Sequence, residues 1–161
     1  WYRDKLRWNV RRKVDVLLEW WHRGLVQVRL LRKARRLAGG DLLHWLAELA
    51  MEAQSGGQRL TPNAWNELAR KRGSFIANVV RRGCKRAWRT ERPFLPHEKP
   101  DPTAIYNNVI VGLAGLQVAI DDGDLDFAVL PPDEARLATR YAVNEMNGFP
   151  PWFGQLAAAQ L

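Results

Sequence analysis

The segment 121–126 holds the densest cluster of side chains that could do chemistry, with four aspartates in six positions. Carboxylates at this density are ligands that calcium prefers. An EF-hand loop, however, has glycine at its sixth position and glutamate at its twelfth. Here Gly123 is third and Pro132 is twelfth. The sequence therefore favours a solvated loop between two helices over a calcium site.

The histidines and the single cysteine show no zinc-ligand spacing. Cys84 cannot form an internal disulfide, which fits a reducing compartment. Its basic neighbours would favour a thiolate, but no histidine lies nearby in sequence to complete a nucleophilic site. The phosphate-binding motifs GxxxxGK[ST] and GxGxxG and the hydrolase motif GxSxG are absent from the sequence. We therefore expect no enzyme active site, no metal and no cofactor within this chain.

Lysine and arginine are the strongest polar signal, and they are unevenly distributed. Residues 1–92 hold 22 of the 25 basic residues and 8 of the 17 acids, a net charge of +14, whereas residues 93–161 have a net charge of −6. Phosphate binding needs little more than such basic density. The predicted polyanion-binding residues are Arg11, Arg12, Lys13, Arg32, Lys33, Arg35, Arg36, Arg81, Arg82, Lys85 and Arg86. The other interpretation is a solvated surface whose arginine stems cover apolar side chains.

Helical periodicity dominates the elements that carry these residues. Residues 3–37 predict one long helix whose apolar face ends at Leu25 and Val28, with Leu30 off that face. Gly39 and Gly40 end this helix, because glycine is typical of the C′ position. Further helices are predicted over residues 41–54, from Thr61 onward with a break at 73–74, over 103–120, from 131 to 147, and from 150. Strand patterns are nearly absent, so the fold class is all-α: five or six helices with a long N-terminal helix, in an antiparallel or solenoid-like array.

The proline-rich residues 93–102 coincide with the reversal of charge and predict a stiff connector. The predicted organisation is a basic helical unit (1–92), this connector, and an acidic helical unit (103–161). If the two halves dock, the aspartates of the 121–126 loop are the acids best placed to meet the arginines. We then expect the apolar contact to use Leu113, Leu116, Leu137 and Tyr141.

Eight tryptophans are several times the usual share, and tryptophan is favoured both in cores and at interfaces. Trp8, Trp20, Trp152 and Phe153 are the predicted interface residues. Both ends of the chain look cut, which leads us to expect a piece of a longer polypeptide. No apolar run is long enough for a membrane span, so we expect a cytoplasmic protein with no membrane partner.

Three stretches carry a family resemblance: residues 107–116, residues 133–145, and the run from Gly148 through Trp152 to Phe153. Together they resemble the HEAT-like helical repeats of large bacterial NTPases of the NACHT or STAND type, which occur in prokaryotic antiviral defence. The resemblance covers residues 103–161. It implies a nucleotide site outside this chain and a role in partner sensing or assembly.

Two functions follow as expectations. The first is a non-catalytic helical interaction or scaffold segment of a larger intracellular protein, whose partner is another protein or another segment of the same chain. The second is a nucleic-acid-binding helical domain that uses the basic residues of 1–92.

Overall fold

The computed structural model describes residues 24–54, 62–145 and 148–160. The chain divides into two compact units, Trp1–Ala34 and Arg35–Leu161. The first helix, α1, is seen over residues 24–39, and the remainder of the predicted long helix lies outside the described residues. The other helices are α2 (Leu43–Ala53), α3 (Pro62–Arg72), α4 (Ser74–Thr90), α5 (Asn107–Asp121), α6 (Pro132–Ala142) and α7 (Phe153–Gln160).

The all-α prediction is confirmed, since the described ranges contain helices and no strand. They hold seven α-helices where five or six were expected. Gly73 accounts for the additional one, because its φ of 88° divides the third predicted segment into α3 and α4. A positive φ is readily adopted only by glycine. The solenoid-like array stays a prediction.

The first helix ends as its two glycines predicted. Gly40 has a φ of 91° and its N–H donates to the Leu37 carbonyl, while the Asp41 N–H donates to the Arg36 carbonyl. These two bonds form a Schellman motif, which satisfies carbonyls that the helix leaves unpaired. The motif turns the chain sharply into α2.

The centre of the second unit is the antiparallel pair α4 and α5. A Cβ on Gly115 of α5 would overlap the backbone carbonyl of Cys84 on α4, so the two helix backbones are in direct contact there. Further along, the Asn108 side chain donates to the Arg92 carbonyl. Gly112 of the same helix lies against the ring of Tyr141, where a Cβ would overlap the ring atoms.

A second layer packs the acidic half of the chain onto α4. Trp88 of α4 is fully buried in one cluster with Leu116, Tyr141 and Trp152, and Leu113 and Leu137 pack against its edge. The four predicted contact residues are therefore found where the two halves meet. The Tyr141 hydroxyl donates to the Glu91 carbonyl at 2.7 Å, which ties α6 to the end of α4.

The proline-rich segment is packed against α6. It forms one short 3-10 turn, Pro96–Glu98. The Asn144 side chain donates to the Phe94 carbonyl at 2.8 Å and Arg140 Nε donates to the Pro93 carbonyl at 3.1 Å. The following helix begins at Asn107, later than the predicted Thr103, because Asp101 accepts the backbone N–H of Thr103 in a turn.

We expect Gly115→Ala to lower the free energy of unfolding by about 1–3 kcal/mol, because the added methyl must push two helix backbones apart. Gly154→Ala is the matched control, since nothing lies within 4 Å of a Cβ at that helical position. It should be neutral or stabilising by up to about 1 kcal/mol. Chemical denaturation of both variants measures the difference. Equal stability of the two would contradict the close packing.

Candidate interaction surfaces

The aspartate-rich loop at the end of α5, residues 121–126, is joined to α4 by ion pairs. Arg81 Nη2 donates to Asp122, and Lys85 Nζ donates to the same carboxylate at 2.9 Å and also pairs with Asp124. These contacts join α4 to the end of α5, so the expected meeting of a loop aspartate with an arginine is confirmed for Asp122, while Asp124 meets a lysine. Neither Asp121 nor Asp126 pairs with a described basic residue.

The backbone of this loop fixes the two carboxylates. Gly123 has a φ of 73°, its N–H donates to the Ile120 carbonyl, and the Asp124 N–H donates to the Ala119 carbonyl at 2.9 Å. This is a second Schellman motif. Negative side chains at a helix C-terminus oppose the helix dipole, so nearby cations are needed to offset the repulsion. Arg81 and Lys85 supply that charge.

The pKa of Asp122 shows the balance of these effects. Burial raises the pKa of this carboxyl, but the hydrogen bond from Lys85 and the charge of Arg81 outweigh it. The pKa therefore lies below its ordinary value. The ionised form is the one that the fold stabilises.

Other basic residues are also paired inside the fold. Arg72 binds Glu52 at 3.0 Å, which joins α3 to α2. Arg89 binds Glu134 at 3.0 Å, and its guanidinium lies over the ring of Trp88. Much of the basic charge of α3 and α4 is thus neutralised within this unit.

The predicted polyanion residues consequently fall into distinct groups. Arg11, Arg12 and Lys13 lie outside the described residues, and Arg32 and Lys33 belong to the first unit. Arg81 and Lys85 are the ion-paired residues described above.

The remaining four lie around the crossing of α1 and α4 in the second unit. The Leu37 carbonyl faces Gly83 there, and Arg86 Nη1 donates to the Ala38 carbonyl at 3.4 Å. All four side chains are exposed, and no acidic side chain of the described residues pairs with any of them. We call this group the basic surface: Arg35, Arg36, Arg82 and Arg86.

An apolar row lies exposed on α1 within the first unit. Leu25, Val28 and Leu31 are 49%, 46% and 49% exposed, whereas Leu30 is buried. The predicted apolar face is therefore wrong at this end of the helix. Apolar residues spaced three or four apart form two neighbouring rows along this part of α1. The row that contains Leu30 is the buried one. We call Leu25, Val28 and Leu31 the α1 apolar row.

Two of the four predicted interface aromatics lie among the described residues. Trp8 and Trp20 lie outside the described residues. Trp152 is buried and stacks on Phe127 at 6.0 Å, so packing inside this unit accounts for it. Phe153 is partly buried and stacks on Phe149 with 4.5 Å between ring centroids.

A groove of about 720 Å³ opens between the end of α4, α6 and α7. Its apolar wall comes from α6 and α7, and four arginines lie around it: Arg89, Arg92, Arg136 and Arg140. No local sequence pattern predicted it, because its lining comes from three separate segments that only the fold brings together.

The structure gives Cys84 no reactive character. Its side chain is fully buried, and this burial raises the pKa of the thiol to about 12. The thiol is thus protonated at neutral pH, and the basic residues beside it in sequence do not activate it.

Within 24–54, 62–145 and 148–160, no group of three or more His, Cys, Asp or Glu side chains is placed to hold a metal ion. Among the helices of these same ranges, none combines the length and apolar character that a membrane span requires. No family model, curated protein or solved structure matches the chain.

We expect Asp122→Asn to destabilise the protein by up to about 1 kcal/mol at pH 7, the usual range for partly exposed pairs. Because the folded-state pKa is lowered, this stabilisation is present above the unfolded pKa of about 3.9 and is lost as the pH falls through the lower folded value. The two proteins should therefore converge once the pH is below the lowered folded-state pKa of Asp122. Urea titrations across pH measure this.

Asp121→Asn is the matched control, since Asp121 accepts only from Gln117 among the side-chain contacts described and asparagine can still accept that bond. A loss of stability as large as that of Asp122→Asn, or a pH-independent loss for Asp122→Asn, would contradict the docking role.

Proposed function

We propose that the chain is a non-catalytic helical interaction segment of a larger intracellular protein. Its partner is another protein or another segment of the same larger chain. The α1 apolar row is the observation that carries this proposal, because contiguous exposed apolar side chains are typical of protein–protein contacts.

Fully burying a leucine or valine side chain contributes about 1.5–3 kcal/mol. Each member of the row is about half exposed, so about half of that free energy remains available from each one. Contact with a partner would therefore yield about 3 kcal/mol from the row alone.

The neighbouring charges indicate what the partner surface carries. Arg29 and Arg32 lie on the same helix beside the row and are exposed. An apolar partner surface edged with acidic residues would complement both features, and the charges would favour the correct orientation on approach. The partner is therefore proposed to be a protein of this surface chemistry.

The resemblance to HEAT-like regions of NACHT or STAND NTPases supports a more specific form of the proposal. In it, the segment is the sensor or assembly region of such a protein in a cytoplasmic defence system. The nucleotide would then bind elsewhere in the larger chain, which agrees with the absence of phosphate-binding motifs in this sequence.

A photo-crosslinking amino acid at Val28 tests the interaction role. We expect it to crosslink to one discrete protein in cells, whereas the same amino acid at Asn66, which is exposed on α3, should not. With the crosslinked partner purified, Leu25→Ser together with Leu31→Ser should weaken binding by about 2 kcal/mol, or about 30-fold.

Both leucines are about half exposed, so the double variant should unfold at nearly the same denaturant concentration as the original chain. The proposal fails if crosslinking at Val28 matches that at Asn66, or if the serine variant binds the partner equally well.

Nucleic-acid binding is the second candidate, and the basic surface favours it. Arg82 and Arg86 are four residues apart on an exposed face of α4, a spacing at which like charges repel and destabilise a helix slightly. A polyanion bound there would remove that repulsion. Arg35 and Arg36 extend the positive surface onto α1.

Fluorescence anisotropy with a duplex and a single strand tests this candidate. Binding should weaken steeply with salt, and Arg35→Glu with Arg82→Glu should abolish it. Lys99→Glu with Arg136→Glu changes the net charge equally at positions outside the basic surface and should retain most of the affinity. Absence of binding at low salt, or equal losses for the two double variants, would exclude the basic surface.

A further inference from the structure

The α1 apolar row lies on the side of α1 that is opposite to its buried side. Successive residues of an α-helix are about 100° apart around the helix axis. The three members of the row, Leu25, Val28 and Leu31, therefore fall within about 120° of one another. Leu30, which is buried, lies about 160° from Val28. The row is thus a continuous exposed face of the helix.

Gly24 lies on the same exposed face, about 20° from Leu31 and about 40° from Val28 around the axis. Its backbone is helical, and it is not among the glycines with a positive φ. No atom lies within 4 Å of a Cβ built at this position. Neither the backbone conformation nor a neighbouring atom therefore requires glycine here.

A glycine at this position disfavours the helix that contains it. The sequence pattern predicts helix on both sides of Gly24, and inside a helix only proline is less favourable than glycine. Glycine is useful where another backbone must come very close to the chain. Since nothing in the structure approaches Gly24, an element of a bound partner is the one that would use this gap.

The second unit shows which kind of element such a gap accepts. Gly83 of α4 faces the Leu37 carbonyl of α1, and Gly115 of α5 faces the Cys84 carbonyl of α4. Both are contacts between two helices. An extended strand would fit less well, because its unpaired N–H and C=O groups would face a helix whose own backbone groups are already hydrogen-bonded. A helix brings no such unpaired groups along its length.

The charges beside Gly24 and the row are positive. Arg29 and Arg32 are both exposed, and neither forms an ion pair with an acidic side chain in the described ranges. Arg32 lies one turn after Val28 on the same face, and Arg29 lies at its edge. A helix that docks here is therefore complementary if its apolar side is edged with aspartate or glutamate.

We propose that the partner docks on the α1 apolar row through a single amphipathic α-helix. This helix crosses α1 with its backbone against Gly24, packs its apolar side chains among those of the row, and places acidic side chains beside Arg29 and Arg32. The inference rests on the proposed function, because it concerns the same surface and names the element that the partner contributes.

A size series at Gly24 tests the close approach in the full chain. Gly24→Ala and Gly24→Leu should not lower the denaturation midpoint of the free chain, because both residues favour helix and the surrounding space is open. Against the purified protein that crosslinks at Val28, Gly24→Ala should weaken binding about tenfold and Gly24→Leu should weaken it further. Each added carbon would hold the two helix backbones apart.

An apolar surface without close backbone contact would give the opposite sign. There, Gly24→Leu adds apolar area and strengthens binding. Gly154→Ala is the matched control, since Gly154 is also helical and open within 4 Å but lies on α7, outside the row. It should leave the affinity for the partner unchanged.

Crosslinking from several positions identifies the type of element that the partner contributes. The photo-crosslinking amino acid is placed at Leu25, Val28 and Leu31 in turn, and mass spectrometry locates the crosslinked residues of the partner. We expect them within one segment at spacings of three or four, the period of a helix face, with aspartate or glutamate beside them. Spacings of two would indicate a strand.

The outcomes separate this inference from the proposed function. If Val28 captures no discrete protein, the interaction role itself fails, and the helix docking fails with it. If a partner is captured and the serine variant at Leu25 and Leu31 weakens its binding, the interaction role stands. The helix docking is then overturned if Gly24→Leu binds the partner as well as the original chain or better. Crosslinked residues that alternate by two, or that scatter over several segments, would also overturn it.

Discussion

The contact of α5 with α4 at Gly115 is the constraint on which the second unit depends. Because glycine has no side chain, the α5 backbone reaches the Cys84 carbonyl. That approach places Trp88 of α4 in the same buried cluster as Leu116, Tyr141 and Trp152. It also brings the end of α5 within reach of Arg81 and Lys85. A bulkier residue at this position would loosen all three sets of contacts together.

Charge and packing have different roles in joining the two halves. The ion pairs of Asp122 and Asp124 are partly exposed, so each contributes little free energy on its own. The buried aromatic and aliphatic cluster provides most of the stability. The ion pairs select one arrangement of α4 and α5, because the Schellman turn presents both carboxylates on the side that faces the cations. The reversal of charge along the sequence is thus used at least partly inside the fold.

Structural features that depend on local chemistry could be predicted from the sequence. Gly40 at the end of α1, Pro132 at the start of α6 and the glycines of α5 each act as their residue type predicts. The sequence did not predict which side chains are buried where burial depends on residues far away in the chain. The stripe of α1 that becomes buried passes through Leu30 and not Val28, a choice between two similar apolar patterns that only packing decides. The groove is a stronger case, because three separate segments meet to form it.

The second unit is held together by internal ion pairs and a buried cluster, and it carries the basic surface and the groove, whereas the α1 apolar row belongs to the first unit. The α1 apolar row, the basic surface and the groove differ in chemistry, so they are suited to different partners. Since Arg81, Lys85 and Arg89 are engaged in ion pairs, the positive charge available to a partner is smaller than the composition suggests. What remains is concentrated on a few named residues.

The central claim is that α4, from the basic half of the sequence, and α5 and α6, from the acidic half, form one cooperative unit. Native-state amide hydrogen exchange measures this most directly, because it reports a free energy of opening for each helix. The account predicts that the buried amides of α4, α5 and α6 exchange with the same, highest free energy and respond together to denaturant. Exchange from α5 and α6 at a clearly lower free energy than from α4 would show that the two halves open independently, and would contradict the account.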